Sequence, residues 1–216
     1  MTTVDVVLPC LDEALALPWV LSRMPSWARP VVVDNGSVDG SPDVARDHGA
    51  TVVVAAQRGY GAACHAGLLA ATADLVAFMD ADASLDPSEL PRLLEAQLAG
   101  ADLVVGRRLP LGRGAWPWHL RVANRVVAHR LGRRTGLRLK DIGPMRLGRT
   151  VDLLALGVED RRSGYPLEVL VRAAEAGWTV AEVGVTYRPR SGRSKVTGTP
   201  LGVVRAVRDM SRVLAQ

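Results

Sequence analysis

"DLVAFMDADAS", residues 74–84, is an apolar run that ends in two carboxylates one residue apart. Its uncharged centre, "LVAFM", predicts a strand buried on both faces, as in a parallel sheet covered by helices. On an extended chain Asp80 and Asp82 point to the same side. Two like charges 4 Å apart repel by roughly 4 kcal/mol at an effective dielectric of 20. A chain tolerates such a pair when its working state holds a cation between them.

Similar runs recur on either side: "VDVVLP" (4–9), "PVVVDN" (30–35), "TVVVAA" (51–56) and "DLVVG" (102–106). Helical patterns separate them, with Ser41–Pro42 and Asp86–Pro87 read as N-cap and first-turn Pro, and Gly49 and Gly100 as stops. The alternation predicts an α/β fold, a mostly parallel sheet with helices on both faces, doubly wound over about residues 1–106. Beyond Arg108, "GRGAWPWHLRVANRVVAHRLGRRTG" (112–136) reads as a loop and then a basic amphipathic helix that buries Leu120, Ala123, Val127 and Leu131. That helix is either a packed surface element or a lid or membrane-surface element. "YPLEVLVRAAEAGW" (165–178) reads as a helix and "TVAEVGVTYRPR" (179–190) as a strand. In the closing helical stretch Val203, Val207, Met210 and Leu214 form a core stripe. With 216 residues, 48% of them hydrophobic, the chain suits one domain spanning 1–216 better than two independent ones.

The net charge of +5 is unevenly distributed. Residues 1–106 carry 5 Arg against 14 acidic side chains, net −9, whereas residues 107–149 carry 12 basic side chains against Asp141 alone, net +11. An acidic first half followed by a basic middle predicts a cation site beside an anion site. The N-terminal residues lack the pattern of a leader and no stretch of about 20 residues is free of charge, so a cytoplasmic protein without a membrane span is expected. Cys10 and Cys64 lack metal-type spacing and read as buried thiols; His48, His65, His119 and His129 lack ligand spacing.

In doubly wound sheets ligands bind beyond the carboxyl ends of the strands. The ends here are "PCLDE", "DNGSVDGS" and "DADAS", so acidic and polar groups converge on one edge, although Asp39 and Asp86 also fit as turn or cap formers. Mg²⁺ or Mn²⁺ takes one or two carboxylates and completes its shell with water and phosphate oxygens, which makes a diphosphate the natural third party. "RSGRSK" (190–195) packs three cations, two hydroxyls and a glycine into a segment suited to wrapping a phosphate. No Ser-His-Asp arrangement is evident. An acceptor already ionised at neutral pH, a phosphate, needs positioning more than deprotonation; a hydroxyl acceptor would need a base, for which Glu168, Asp141 and Asp80 are candidates.

The ordered set "VVLPCLDE", "VVVDNGSVDGS", "RGYGAACHAGLLAA", "FMDADAS" and "DLVVGRR", covering about residues 4–108, resembles the family 2 glycosyltransferases of GT-A (Rossmann-like) fold. "DIGPMR" (141–146), "YPLE" (165–168) and "YRPRSGRSKVTGT" (187–199) resemble its polyprenyl-phosphate (dolichyl-phosphate) mannosyl- and glucosyltransferase branch. The resemblance implies a metal-dependent, inverting transfer of a hexose from a UDP- or GDP-sugar to a polyprenyl-phosphate-type acceptor. The alternative is a small soluble phosphorylated or hydroxyl acceptor. It places Pro9 and Glu13 at the nucleoside, Asp34 at the base, Asp80 at the sugar-diphosphate and Asp82 on the metal, with Asp80 beside it. Arg108 is implied at the diphosphate or the transferring sugar, and Arg190, Arg193, Ser194 and Lys195 at the acceptor phosphate. Residues 1–108 would thus form the nucleotide-sugar half and 109–216 the acceptor half, with peripheral contact at the inner membrane face. Departures from the family pattern are Asp12 for Asn, Asn35 for Asp and Ser84 for a metal-side Gln. A nucleotidylyltransferase would need a Gly-rich basic loop after the first strand, which is missing. A nucleic-acid binder would leave the acidic strand ends unexplained, so no nucleic-acid partner is expected.

Overall fold

A computed structural model describes residues 2–112, 114–192 and 200–215. In chain order its elements are β1 (Val4–Cys10), α1 (Leu17–Ser22), β2 (Ala28–Asp34), α2 (Ser41–Asp47), β3 (Thr51–Val54), α3 (Tyr60–Ala70), β4 (Leu75–Phe78), a 3₁₀ turn (Pro87–Glu89), α4 (Leu90–Leu98), β5 (Leu103–Pro110), α5 (Trp118–Thr135), β6 (Met145–Arg149), α6 (Thr150–Ala155), α7 (Tyr165–Glu175), β7 (Val180–Tyr187) and α8 (Pro200–Ala215). The strands form one seven-stranded sheet in the order β3-β2-β1-β4-β6-β5-β7. All pairings are parallel except those of β6, which runs antiparallel to both β4 and β5.

This register brings the site together. Cys10 lies beside Asp34 and Val7 beside Phe78, so β1, β2 and β4 end at one edge. Strand β6 pairs Arg146 with Phe78 and Met145 with Gly106, which puts the carboxyl end of β5 at that same edge. Arg108 in turn sits beside Val185 of β7. One apolar layer under the sheet is built from α1, α2 and α4 through Leu17, Val20, Ala45, Leu90 and Leu93. The opposite layer carries Ala63, Leu68, Leu131, Leu153, Leu167 and Val213, from α3, α5, α6, α7 and α8. Both faces are therefore covered, as the uncharged strands require.

Local chemistry explains the boundaries. Asp86 caps the 3₁₀ turn, its carboxylate accepting the Ser88 N–H at 3.0 Å. Ser41, expected as an N-cap, is instead the first residue of α2, and the capping oxygen belongs to Asp39, which accepts the Ser41 N–H at 3.0 Å. At the start of α3, the Gly61 and Ala62 N–H groups donate to the carbonyls of Arg162 (3.0 Å) and Arg161 (2.8 Å). Gly59, with φ at +144°, permits that contact: a Cβ there would lie 2.2 Å from the Arg161 carbonyl oxygen.

Three expectations need correction. The fifth strand continues past residue 106 to Pro110, because β7 offers it a partner along its whole length. In α5 the inward face runs through Asn124, Ala128 and Leu131, and Ala123 is exposed, because Asn124 bonds the 140–142 segment at the site. In α8, Met210 and Leu214 pack against the core as expected, but Val207 is 57% exposed and Ala206 and Val213 are the buried apolar residues beside them. Val203 lies among side chains outside the described residues. Cys10 and Cys64 are buried and free, as their spacing led one to expect.

Candidate active site

Beyond β4 the chain turns through Asp80, Ala81, Asp82, Ala83 and Ser84, with Ala83 at a left-handed φ of 61°. Asp82 is 2% exposed; its Oδ1 accepts the Ser84 N–H at 2.9 Å and its Oδ2 accepts from the Arg190 guanidinium. The strand-end segment after β7 is stitched onto this turn: Arg188 N–H donates to the Ser84 carbonyl at 2.8 Å and Ser191 N–H to the Asp82 carbonyl at 2.9 Å. Asp80 is half-buried, and the Tyr60 hydroxyl donates to its Oδ1 at 3.3 Å. Burial, then the neighbouring Asp82 charge, pushes the Asp80 carboxyl up to about 7, against the opposing pull of Arg190, Arg108 and the Tyr60 hydroxyl.

Arg108 leaves β5 toward the same place and is held on every side. Its Nε and Nη2 donate to Asp141 at 2.9 and 2.7 Å, its backbone N–H donates to the same carboxylate at 2.8 Å, and Nη2 reaches Asn124 Oδ1 at 3.2 Å. The guanidinium carbon lies 3.9 Å from the Trp116 ring centre and 5.5 Å from that of Tyr187. Burial alone would raise the Asp141 carboxyl, but the Arg108 hydrogen bonds and charge hold it below the usual carboxylate range. Gly143, which follows, has φ +48° and no room for a Cβ, with Val105 Cγ1 at 2.4 Å. Arg146 then closes the turn by donating to the carbonyls of Ile142, Gly143 and Pro166.

At the neighbouring strand ends two loops are laced together. Asp34 is 7% exposed and its carboxylate accepts the N–H groups of Gly36 (3.3 Å) and Ser37 (3.1 Å). Asp12, at φ 53°, accepts the Val38 N–H at 2.8 Å, and the Glu13 N–H donates to Ser41 Oγ at 2.8 Å. Pro9 sits on β1 beside Val33. Asn35 carries the lacing on to α3, accepting the Gly59 N–H at 2.7 Å.

The structure therefore gathers Asp80, Asp82, Arg108 and Arg190 at one point and sets Pro9, Glu13 and Asp34 on the adjoining strand ends. Arg193, Ser194 and Lys195 lie outside the described residues. Arg190, implied at the acceptor phosphate, donates to Asp82 here. Of the candidate bases, Glu168 is committed to the N–H groups of Glu159 and Asp160 (3.0 and 2.7 Å) and to Arg172 (2.6 Å), and Asp141 to Arg108. Only Asp80 faces the cleft charges. Sequence reasoning missed Tyr60, Trp116, Tyr187 and Asn124, which hold the charged groups.

The donor set fits a hard divalent cation that brings its own phosphate ligands. Among the described residues no group of three or more His, Cys, Asp or Glu side chains is arranged to hold a metal ion. Two carboxylates in one turn with a buried Ser84 hydroxyl are what the protein offers. That is the share Mg²⁺ or Mn²⁺ commonly accepts from a protein, the rest coming from water and diphosphate.

A mostly parallel sheet covered on both faces, with a carboxylate pair at a strand end and arginines opposite, is the arrangement that the GT-A resemblance implies. The chain belongs to glycosyl transferase family 2, whose family model matches residues 5–151. An uncharacterised glycosyltransferase of Mycobacterium tuberculosis is 52% identical over 213 residues, 98% of each chain. The undecaprenyl-phosphate mannosyltransferase of Micrococcus luteus is 33% identical over 91% of this chain and 88% of its own. Among solved structures, glucosyl-3-phosphoglycerate synthase of Mycobacterium tuberculosis superimposes with a TM-score of 0.80 at 22% identity, covering 99% of this chain and 80% of that one. That synthase has been crystallised with Mg²⁺ and UDP, and with Mn²⁺, UDP-glucose and phosphoglyceric acid.

Proposed function

We propose that this chain transfers a hexose from a UDP-sugar to a phosphate-bearing acceptor with inversion at the anomeric carbon, residues 1–108 taking the donor and 109–216 the acceptor. The observation that carries the reading is the meeting of Asp80 and Asp82 with Arg108 and Arg190 at one edge of the sheet. An acceptor oxygen, of the phosphate or of a hydroxyl whose proton passes to Asp80, attacks the anomeric carbon in line as the carbon–oxygen bond to the diphosphate breaks, and the nucleoside diphosphate leaves with the bonding electrons. Pro9, Glu13 and Asp34 line the nucleoside side, with Asp34 holding its loop in shape for the base. Asp80 and Asp82 would hold the cation, which when bound supplies charge neutralisation for the departing diphosphate. Arg108, fixed by Asp141 and packed over the Trp116 ring, presents its charge to the diphosphate or sugar at no cost in ordering. Arg190, with Arg193, Ser194 and Lys195, serves the acceptor phosphate. Commitment of Asp141 and Glu168 elsewhere favours an acceptor that needs no base.

Between the two acceptors entertained from the sequence, the order of support reverses. Crystals of the glucosyl-3-phosphoglycerate synthase hold a small soluble phosphate, and that acceptor class now stands ahead of a polyprenyl phosphate. The polyprenyl reading keeps two supports: the relative named for undecaprenyl phosphate, and the outer face of α5, where Trp118 (75% exposed), Val122 and Val126 form an apolar stripe between Arg121, Arg125 and Arg133. Among the described residues no helix is long and apolar enough to cross a membrane, so contact on that reading would be peripheral, at the inner face. Incubation with radiolabelled UDP-glucose and either 3-phosphoglycerate or a short polyprenyl phosphate, followed by water–butanol partition, separates the two. Asp82→Asn is expected to abolish transfer and cation-dependent UDP binding while the circular dichroism spectrum stays native. Retained activity would overturn the assignment.

A further inference from the structure

Asp82 meets Arg190 as its ion-pair partner, although the proposed function uses Asp82 for a cation and Arg190 for a phosphate. One side chain cannot do both at once. Arg190 does not reach Asp82 as a wandering surface group: the Ser191 N–H is bonded to the Asp82 carbonyl at 2.9 Å and the Arg188 N–H to the Ser84 carbonyl at 2.8 Å, so the backbone of this segment is docked on the turn. Its neighbour Arg188 points elsewhere, to Asp86 at 3.7 Å and over the Trp19 ring at 5.6 Å. Asp82 is almost wholly enclosed, and a buried carboxylate of this kind demands a counter-charge at all times.

We propose that Arg190 is the resident counter-cation of the Asp80–Asp82 pair, so that a free divalent ion binds poorly. The ion enters as its nucleotide-diphosphate complex, and the guanidinium it displaces becomes available to the acceptor phosphate only then. This deepens the functional reading and rests on it. Two consequences follow from simple exchange. Free Mn²⁺ must expel a bonded guanidinium from Asp82 with only two protein carboxylates in return, whereas the UDP complex adds diphosphate ligands and a second anion for Arg190 to meet. Acceptor affinity then depends on donor occupancy, since each ligand favours the same position of one side chain.

The test measures cation binding directly. Mn²⁺ is titrated into the full-length wild-type protein, Arg190→Gln, Arg190→Lys and Arg188→Gln, with free ion read by electron paramagnetic resonance, without and with UDP; circular dichroism checks each fold. Arg190→Gln is expected to tighten binding of Mn²⁺ alone at least tenfold, Arg190→Lys to fall between it and wild type, and Arg188→Gln, which loses the same formal charge, to stay within twofold. Inorganic phosphate, followed by calorimetry, is expected to bind wild type only with Mn²⁺ and UDP present. Unchanged Mn²⁺ affinity in Arg190→Gln, or equal tightening in Arg188→Gln, would overturn the exchange while leaving the transferase reading intact. If Mn²⁺ and UDP together fail to bind wild type, that reading falls, and the exchange with it.

Discussion

Asp141→Asn probes the pillar on which Arg108 stands. The substitution keeps the shape of a side chain that is 1% exposed and removes the charge that receives Nε and Nη2 of Arg108, itself 15% exposed at the side chain. An uncompensated buried guanidinium costs about 3–5 kcal/mol. For a chain of this size, each kcal/mol moves the midpoint by roughly 2–4 °C, so melting should fall by roughly 6–20 °C. Urea denaturation followed by circular dichroism at pH 7 gives the free energy. The sign with pH is fixed: because the folded Asp141 carboxyl is held low, its contribution is fully present above the unfolded value, about 3.9, and disappears as pH falls through the lower folded value. The gap between wild type and variant should therefore be constant above about pH 5 and close below about pH 4. Arg108→Met combined with Asp141→Leu removes both charges into an aromatic setting and should recover stability to within about 1 kcal/mol of wild type, since apolar replacement of a buried pair is often neutral. It should still be inactive. A loss below about 1 kcal/mol in Asp141→Asn, or a double variant as unstable as the single one, would refute the reasoning.

Four further outcomes are expected. Because the folded Asp80 carboxyl is raised, the ligand-free protein should lose stability as pH climbs from about 4 toward 7, and saturating Mn²⁺ with UDP should flatten that slope; denaturation across this range measures it, and a rising slope would contradict the site electrostatics. Gly59→Ala should cost more than about 2 kcal/mol in the same denaturation assay, since its Cβ would strike the Arg161 carbonyl oxygen. Leu147→Ala, in the middle of β6 and 0% exposed, should cost about 2–5 kcal/mol. In α5, Ala128→Glu should destabilise strongly while Ala123→Glu stays within about 0.5 kcal/mol, a contrast that thermal melting reads at once.

The apolar runs of β1, β2, β4 and β5 were legible because strands buried on both faces need continuous hydrophobic sequence, and edge strand β3 was legible from its β-branched run although it is partly exposed. Strand β6 was not: "MRLGR" holds two arginines and a glycine in five residues, and its conformation comes from the neighbours on either side. Asp80 and Asp82 could be read because a charge pair behind an apolar strand is costly and therefore informative. Their opposition to Arg190 could not, since 108 residues separate Asp82 from Arg190, and that distance is closed by the pairing of β7 with β5 and by the backbone bonds that dock the following segment on the Asp82–Ser84 turn. The role of Asp141 was hidden for a related reason. Read as a candidate base, this one acid among twelve bases is shown to be the anchor of Arg108 only when β5 and the turn before β6 bring the two together.

Helix α3 begins with its leading N–H groups already given to the carbonyls of Arg161 and Arg162. Many nucleotide-binding α/β proteins rest a diphosphate on such a helix start and use its permanent partial charge. Here the protein's own chain fills that seat, so on the proposed reading an arriving diphosphate would meet its own cation and arginine side chains rather than a free helix start. Compensation that can walk away suits turnover, because what welcomes the donor need not detain the spent nucleotide.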